Sequence, residues 1–354
     1  MEFGKGWLFP PEQSETRDPK TGVRVRRLTG YPCCNHLPCR NPFTPEGDAL
    51  IFVSWRDGAP QLFELSLAGG RIRQLTEGPA VHPFSLAVHH GGERIFFVRG
   101  GSIWVLHRTT LEESCVVSLG QTRLGECALA GDWLAAAARQ GEQYGLVVGR
   151  TDGTRWDFLP IPRPVLAPQF HPLEPEWIEF ASRPAPRMHR IRRDGAGLEC
   201  LYRHAEQECI LHETFLGQTG DLIFALRPQA LCRMDWESRR IRTLARLSAW
   251  RPGSNRAGTL AVCDTHQPNE GIFLVDPVTG GRQLVCLPES SHRIPHAEAV
   301  EADTPAELEW DHPHPCFSPD GRRIAFTSDS TGRPQICLAE LDDLASPIFG
   351  GPLM

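Results

Sequence analysis

No apolar run in this 354-residue chain approaches the roughly 18 residues needed to cross a bilayer as a helix, so no stretch reads as a membrane span. Met1 to Gln13 includes a lysine but neither an apolar stretch nor a small-residue cleavage site, and the expectation is a cytoplasmic protein without a secretion signal. Excess positive charge is also missing. Lys and Arg total 37 against 43 Asp and Glu, a net charge of −6. Nucleic-acid binding calls for a basic face, so nucleic acid is excluded as a partner. An anionic ligand has to be held by local cations, not by the field of the whole molecule. The Gly-x-Ser-x-Gly elbow of serine hydrolases is absent. Twelve cysteines are scattered along the chain, several inside apolar strands as at Cys232, Cys263 and Cys337, which fits reduced core thiols better than a disulfide framework. Cys33, Cys34 and Cys39 near His36 lack the second Cys-x-x-Cys half of a zinc site.

Helix-period patterns are scarce as well, while 33 glycines and 31 prolines punctuate short β-rich runs. Those runs repeat. The clearest copy is Phe43-Thr44-Pro45-Glu46-Gly47-Asp48 leading into Ala49 to Ser54, then Gln61 to Leu65, then Arg71 to Thr76. Further units start near 86, 127, 168, 213, 254 and 316, mostly 41 to 45 residues apart, the spacing of a propeller blade. The sixth interval is about 20 residues longer and contains an acid-rich insertion, Ser290 to Asp311. The expectation is an all-β, seven-bladed propeller forming one domain over 1–354. The last unit runs out after its third strand, and Gly22 to Thr29 reads as a strand without partners of its own. It is expected to become the outermost strand of the last blade and close the ring.

His312-Pro313-His314-Pro315-Cys316-Phe317-Ser318-Pro319-Asp320-Gly321 joins a turn to two histidines at i, i+2, which project to one side of extended chain. Two neutral imidazoles so placed suit one metal ion or one anion, or are simply polar residues at the start of a strand. His36 precedes the first blade in the same repeat phase, His212 the fifth and Arg251 the sixth. Core packing gives no reason for that recurrence, and in a propeller groups at that phase collect around the central channel.

The pattern Asp18-Pro19-x-Thr21-Gly22, Arg27-Leu28-Thr29, Asn35-His36, Phe43-Thr44-Pro45, Arg187-Met188, His212-Glu213, His312-Pro313-His314-Pro315-x-Phe317-Ser318-Pro319-Asp320 and Phe326-Thr327-Ser328-Asp329 resembles the oligogalacturonate lyases of polysaccharide lyase family 22, nearly end to end. The resemblance implies a propeller that cleaves short oligogalacturonides by β-elimination, giving 4,5-unsaturated uronates with the help of a divalent cation, typically Mn²⁺. It puts the base at His212 and the charge-neutralising arginine at Arg187, with His36 as a substrate contact. Of the metal set it implies, two histidines match His312 and His314. A glutamine falls on Glu309, and a third histidine falls on Arg251, which cannot ligate a cation. Three outcomes stay open: a metal on His312, His314 and Glu309, Arg251 as a carboxylate clamp paired with Glu309, or a non-catalytic propeller binding acidic sugars or a protein partner.

Overall fold

A computed structural model describes residues 3–37, 41–293 and 311–344. Thirty short strands fall into seven antiparallel sheets among these residues, one sheet per sequence repeat. The first strand of each sheet is β4 (Asn35–His36), β8 (Ala87–Val88), β12 (Arg123–Ala130), β16 (Leu166–Phe170), β20 (Cys209–Phe215), β24 (Ala249–Ser254) or β28 (Cys316–Phe317). Several of these touch their counterparts in neighbouring sheets, β12 against β8 and β16, and β24 against β20 and β28, which sets them around the axis.

Alternation along a strand explains why the blades stack. In β5 (Ala49–Ser54), Leu50 and Phe52 pack with Ile336 and Leu338 of the last blade, while Ile51 and Val53 face Ile95 and Phe97 of the second. Both faces are covered, so the strand reads Leu-Ile-Phe-Val without polar interruption. The same arrangement recurs seven times. Seven apolar clusters fill the seven interfaces between adjacent blades, and one of them joins the seventh blade to the first. Seven sheets with seven filled interfaces form a closed ring.

The N-terminal segment closes it as expected, and further. β3 (Arg24–Arg27) pairs with β30 (Gln335–Glu340), Val25 opposite Ala339 and Arg27 opposite Cys337. It is not the outermost strand, however, because β2 (Ser14–Arg17) folds back along it as a fifth. The preceding β1 (Leu8–Phe9) crosses to the first blade and pairs with β7 (Ile72–Gln74). Between the two attachments, the Gln335 side-chain amide accepts from Thr29 Oγ1 (2.7 Å) and Asn35 Nδ2 (3.0 Å) and donates to the Tyr31 carbonyl (3.0 Å). Of the insertion Ser290 to Asp311, only its two ends lie among the described residues.

Candidate active site

Four consecutive inner strands carry the same irregularity. Leu124 to Cys127, Leu166 to Gln169, Leu211 to Thr214 and Ala249 to Pro252 each advance three residues while the partner strand advances two. One extra residue bulges the strand and re-aims a side chain. The bulges contain Glu126, Ala167, His212 with Glu213, and Trp250 with Arg251. Ala167 and His212 take the left-handed backbone at φ 46° and 55°, as does His314 at φ 46° just ahead of β28. Such a conformation costs a branched or bulky residue on the order of 1–2 kcal/mol, so it persists only where packing over-determines it.

The side chains expected from the sequence come together here. The rings of His312 and His314 lie nearly parallel, 5.7 Å apart, and His212 is 6.4 Å from His314. Trp250 is the hub, stacked on His312 at 5.0 Å and packed on His212 at 5.6 Å. Arg251 Nη1 donates to His314 Nε2 at 3.1 Å. His36 is buried against Trp55 on the first blade and lies near enough to act electrostatically on both His312 and His314. Glu309 lies outside the described residues.

Burial and crowding by cations keep these imidazoles neutral. Burial lowers the basicity of His212 well below the usual 6.5, and Arg251 and Arg187 lower it further. His314 is depressed in the same way, by burial and then by Arg251. His312 is pushed down to about 3 by burial, then by His292 and Arg251. A neutral His212 has a lone pair free of a proton at neutral pH, and Arg251 and Arg187 act on it electrostatically.

Arg187 is set on the other side. Its Nε donates to Glu213 Oε1 at 2.6 Å, and its backbone N–H to His204 Nε2 at 2.8 Å. Burial works against the guanidinium charge, but Glu213, Glu179 and Glu126 outweigh it. Glu213 directly follows His212 on the bulge, so the arrangement that aims the histidine also anchors the arginine. From Glu126 a cleft of about 440 Å³ opens over the second to fourth blades, with Arg123, Tyr144, Leu166 and Arg183 in its wall. That volume is in the range of small-molecule clefts.

A second group escaped the sequence reading. Asp264 Oδ1 accepts from the Arg251 backbone N–H at 2.8 Å, and Asp264 Oδ2 lies 3.6 Å from His292 Nε2. His292 stacks on His266 at 4.6 Å, and His266 packs on Trp250 at 5.0 Å. The signal that could have found Asp264 is a carboxylate directly after the apolar run Leu260 to Cys263, an expensive placement unless it has work to do.

Among the described residues, which leave out Glu309, the donor set does not fit a metal ion. Among the described residues no three His, Cys, Asp or Glu side chains converge as ligands. The Nε2 lone pair of His314 is engaged by the Arg251 guanidinium. A unit charge and a dication about 4 Å apart repel by roughly 8 kcal/mol at an effective dielectric near 20.

Fold and channel together define a seven-bladed propeller with a histidine and arginine site on its axis. No family model matches the chain. It is 24% identical to an oligogalacturonide lyase of Pectobacterium atrosepticum over 96% of this chain and 99% of that one. It is likewise 24% identical to an oligogalacturonate lyase of Dickeya dadantii, over 92% and 95%. Among solved structures, an oligogalacturonate lyase in complex with manganese superposes with a TM-score of 0.84 at 23% identity, covering 96% of this chain and 98% of that one. The oligogalacturonate lyase of Vibrio parahaemolyticus gives 0.81 at 20%, covering 95% and 98%. The chain thus resembles the oligogalacturonate lyases over nearly its whole length.

Proposed function

We propose that this protein is a lyase of the oligogalacturonate type, cleaving short oligogalacturonides by β-elimination. The observation that carries the reading is His212, placed on a bulge 6.4 Å from His314, its basicity lowered by burial and by the charges of Arg251 and Arg187. The proton to be removed is α to a uronate carboxylate and only weakly acidic. Its loss puts negative charge on that carboxylate, so a cation must face the carboxylate while a neutral base faces the proton.

Each group has one task. His212 takes the α proton. The C–H electron pair becomes the new carbon–carbon double bond, the bond to the glycosidic oxygen at the β carbon breaks, and that oxygen leaves with the pair. It takes a proton from the imidazolium or from water, giving a 4,5-unsaturated uronate and a shortened sugar. Arg187, backed by Glu213, and Arg251 offset the charge that builds on the carboxylate. His36 contacts the sugar, and the cleft with Arg123 and Arg183 takes the rest of the chain. Incubation with digalacturonate or trigalacturonate should raise the ultraviolet absorbance of a conjugated uronate, and His212→Ala should abolish the rise. No product from any uronate oligomer, with or without added Mn²⁺, sinks the proposal.

A further inference from the structure

The geometry points to an elimination centre in which the Arg251 guanidinium stands in place of a divalent cation, with His314 orienting it instead of ligating metal. The inference rests on the lyase reading, and three observations carry it. First, Arg251 emerges from a bulge, so its direction is fixed by strand register and not by a loop. Its backbone N–H is tied to the buried Asp264, and the neighbouring Trp250 is wedged between His312 and His266. Second, Arg251 Nη1 approaches His314 Nε2 at 3.1 Å. A guanidinium only donates, so His314 accepts at Nε2 and carries its own hydrogen at Nδ1. That lone pair is the one a metal would need. Third, Arg251 sits among His212, His312 and His314, the part of the channel where a carboxylate must lie if His212 is to reach the proton beside it.

A guanidinium suits the task. It is planar, stays charged at any working pH, and can hold both carboxylate oxygens at once. The carboxylate can therefore be gripped from two sides, by Arg251 on the sixth blade and Arg187 on the fourth, without a dication. This differs in kind from the relative whose structure contains manganese. Here the charge is part of the chain, so the affinity of the site for its substrate does not depend on the supply of metal. His314 is a positioning residue in this scheme. Its replacement should raise KM and loosen the placement of the carboxylate while leaving the base in place.

The test uses the full chain. After dialysis against EDTA the protein should hold no stoichiometric metal and should keep its lyase rate on trigalacturonate within about twofold. Titration with manganese chloride alone, followed by the electron paramagnetic resonance of free Mn²⁺, should show no site tighter than millimolar. Arg251→Gln should cut kcat/KM about 100-fold or more, the size expected for loss of one preorganised electrostatic donor. Arg251→Lys, which keeps the charge but not the fork, should fall between the two, and Mn²⁺ should rescue neither. A micromolar Mn²⁺ site in the wild-type protein overturns the inference. So does a rate that chelation abolishes and Mn²⁺ restores, or an Arg251→Gln protein as active as wild type. If no uronate oligomer is cleaved at all, the lyase reading fails, and the Mn²⁺ titration still decides whether the channel is a metal site.

Discussion

Removing Arg187 separates what that residue does for the fold from what it does for the reaction. Its Nε sits 2.6 Å from Glu213 Oε1, and the two side chains are 19% and 2% exposed. Taking one partner from a buried pair costs about 3–5 kcal/mol, because the other charge is left without compensation. Here the loss is lopsided. Glu213→Gln leaves Arg187 partly exposed and still facing Glu179 and Glu126, so the low end of that range is expected. Arg187→Ala leaves Glu213 without its partner and almost sealed from water. The deficit of Arg187→Ala should therefore lie at the high end of that range, about 5 kcal/mol at pH 7, measured by urea unfolding. Activity should drop about 100-fold or more at every pH, and Arg187→Lys should recover the stability better than the rate. A deficit below about 1 kcal/mol would mean that Glu213 does not depend on Arg187, and the reasoning would be refuted.

Other consequences can be measured directly. Because burial, Arg251 and Arg187 hold the His212 imidazole well below 6.5, the base is already neutral in mildly acid solution. The acid limb of kcat/KM should thus fall below pH 6.5, and a limb above 6.5 would remove His212 as the base. Stability should decline as pH drops below 6.5, because the unfolded chain then binds protons that buried His312, held down to about 3, and His266, held down to about 4, refuse. At pH 4.5, two units below the unfolded value, His312 alone accounts for about 2.7 kcal/mol. Asp311, raised to about 7 by burial, opposes this by keeping its proton in the fold, so Asp311→Asn should steepen the acid loss measured by thermal melts between pH 7 and 4.5. Gln335→Ala strips partners from Thr29, Asn35 and the Tyr31 carbonyl at the ring closure, and should cost about 1–3 kcal/mol in urea unfolding.

The architecture was legible because the propeller imposes one period on hydrophobicity and turns alike. The run Leu50-Ile51-Phe52-Val53 has no polar side because both sides are interfaces, and seven such runs at nearly constant spacing leave little else to build. β3 could be read because Val23 to Arg27 forms a strand pattern with no neighbour of its own. β1 could not, since two residues before Pro10 carry no period at all. Cys33 and Cys34 are buried with Trp55 and Leu62, and Cys39 lies outside the described residues. Within the channel, the residues that share a repeat phase were found from that phase: His36, His212, Arg251 and His314. Asp264, His266 and His292 were missed because they meet Arg251, Trp250 and one another from a second strand and from the edge of the insertion, where no repeat marks them. The bulges were hidden too, since one extra residue leaves a strand pattern almost unchanged.

The way the ring closes also dictates an order of events during synthesis. Arg24–Arg27 leave the ribosome among the first residues, yet Val25 and Arg27 pair with Ala339 and Cys337, made more than 300 residues later. Until the last blade appears, the hairpin of β2 and β3 has no sheet to join, and the first blade lacks the neighbour that covers Phe52 and Phe63. Inner blades can assemble locally as they emerge, whereas the closing interface waits for the longest loop in the molecule to form. The nascent chain thus carries the bare apolar face of the first blade and the unpaired edge of β3 until closure. Its final folding step should be slow and exposed to aggregation, and should quicken in a permuted chain that begins at Asp311 and carries the hairpin directly after Leu344.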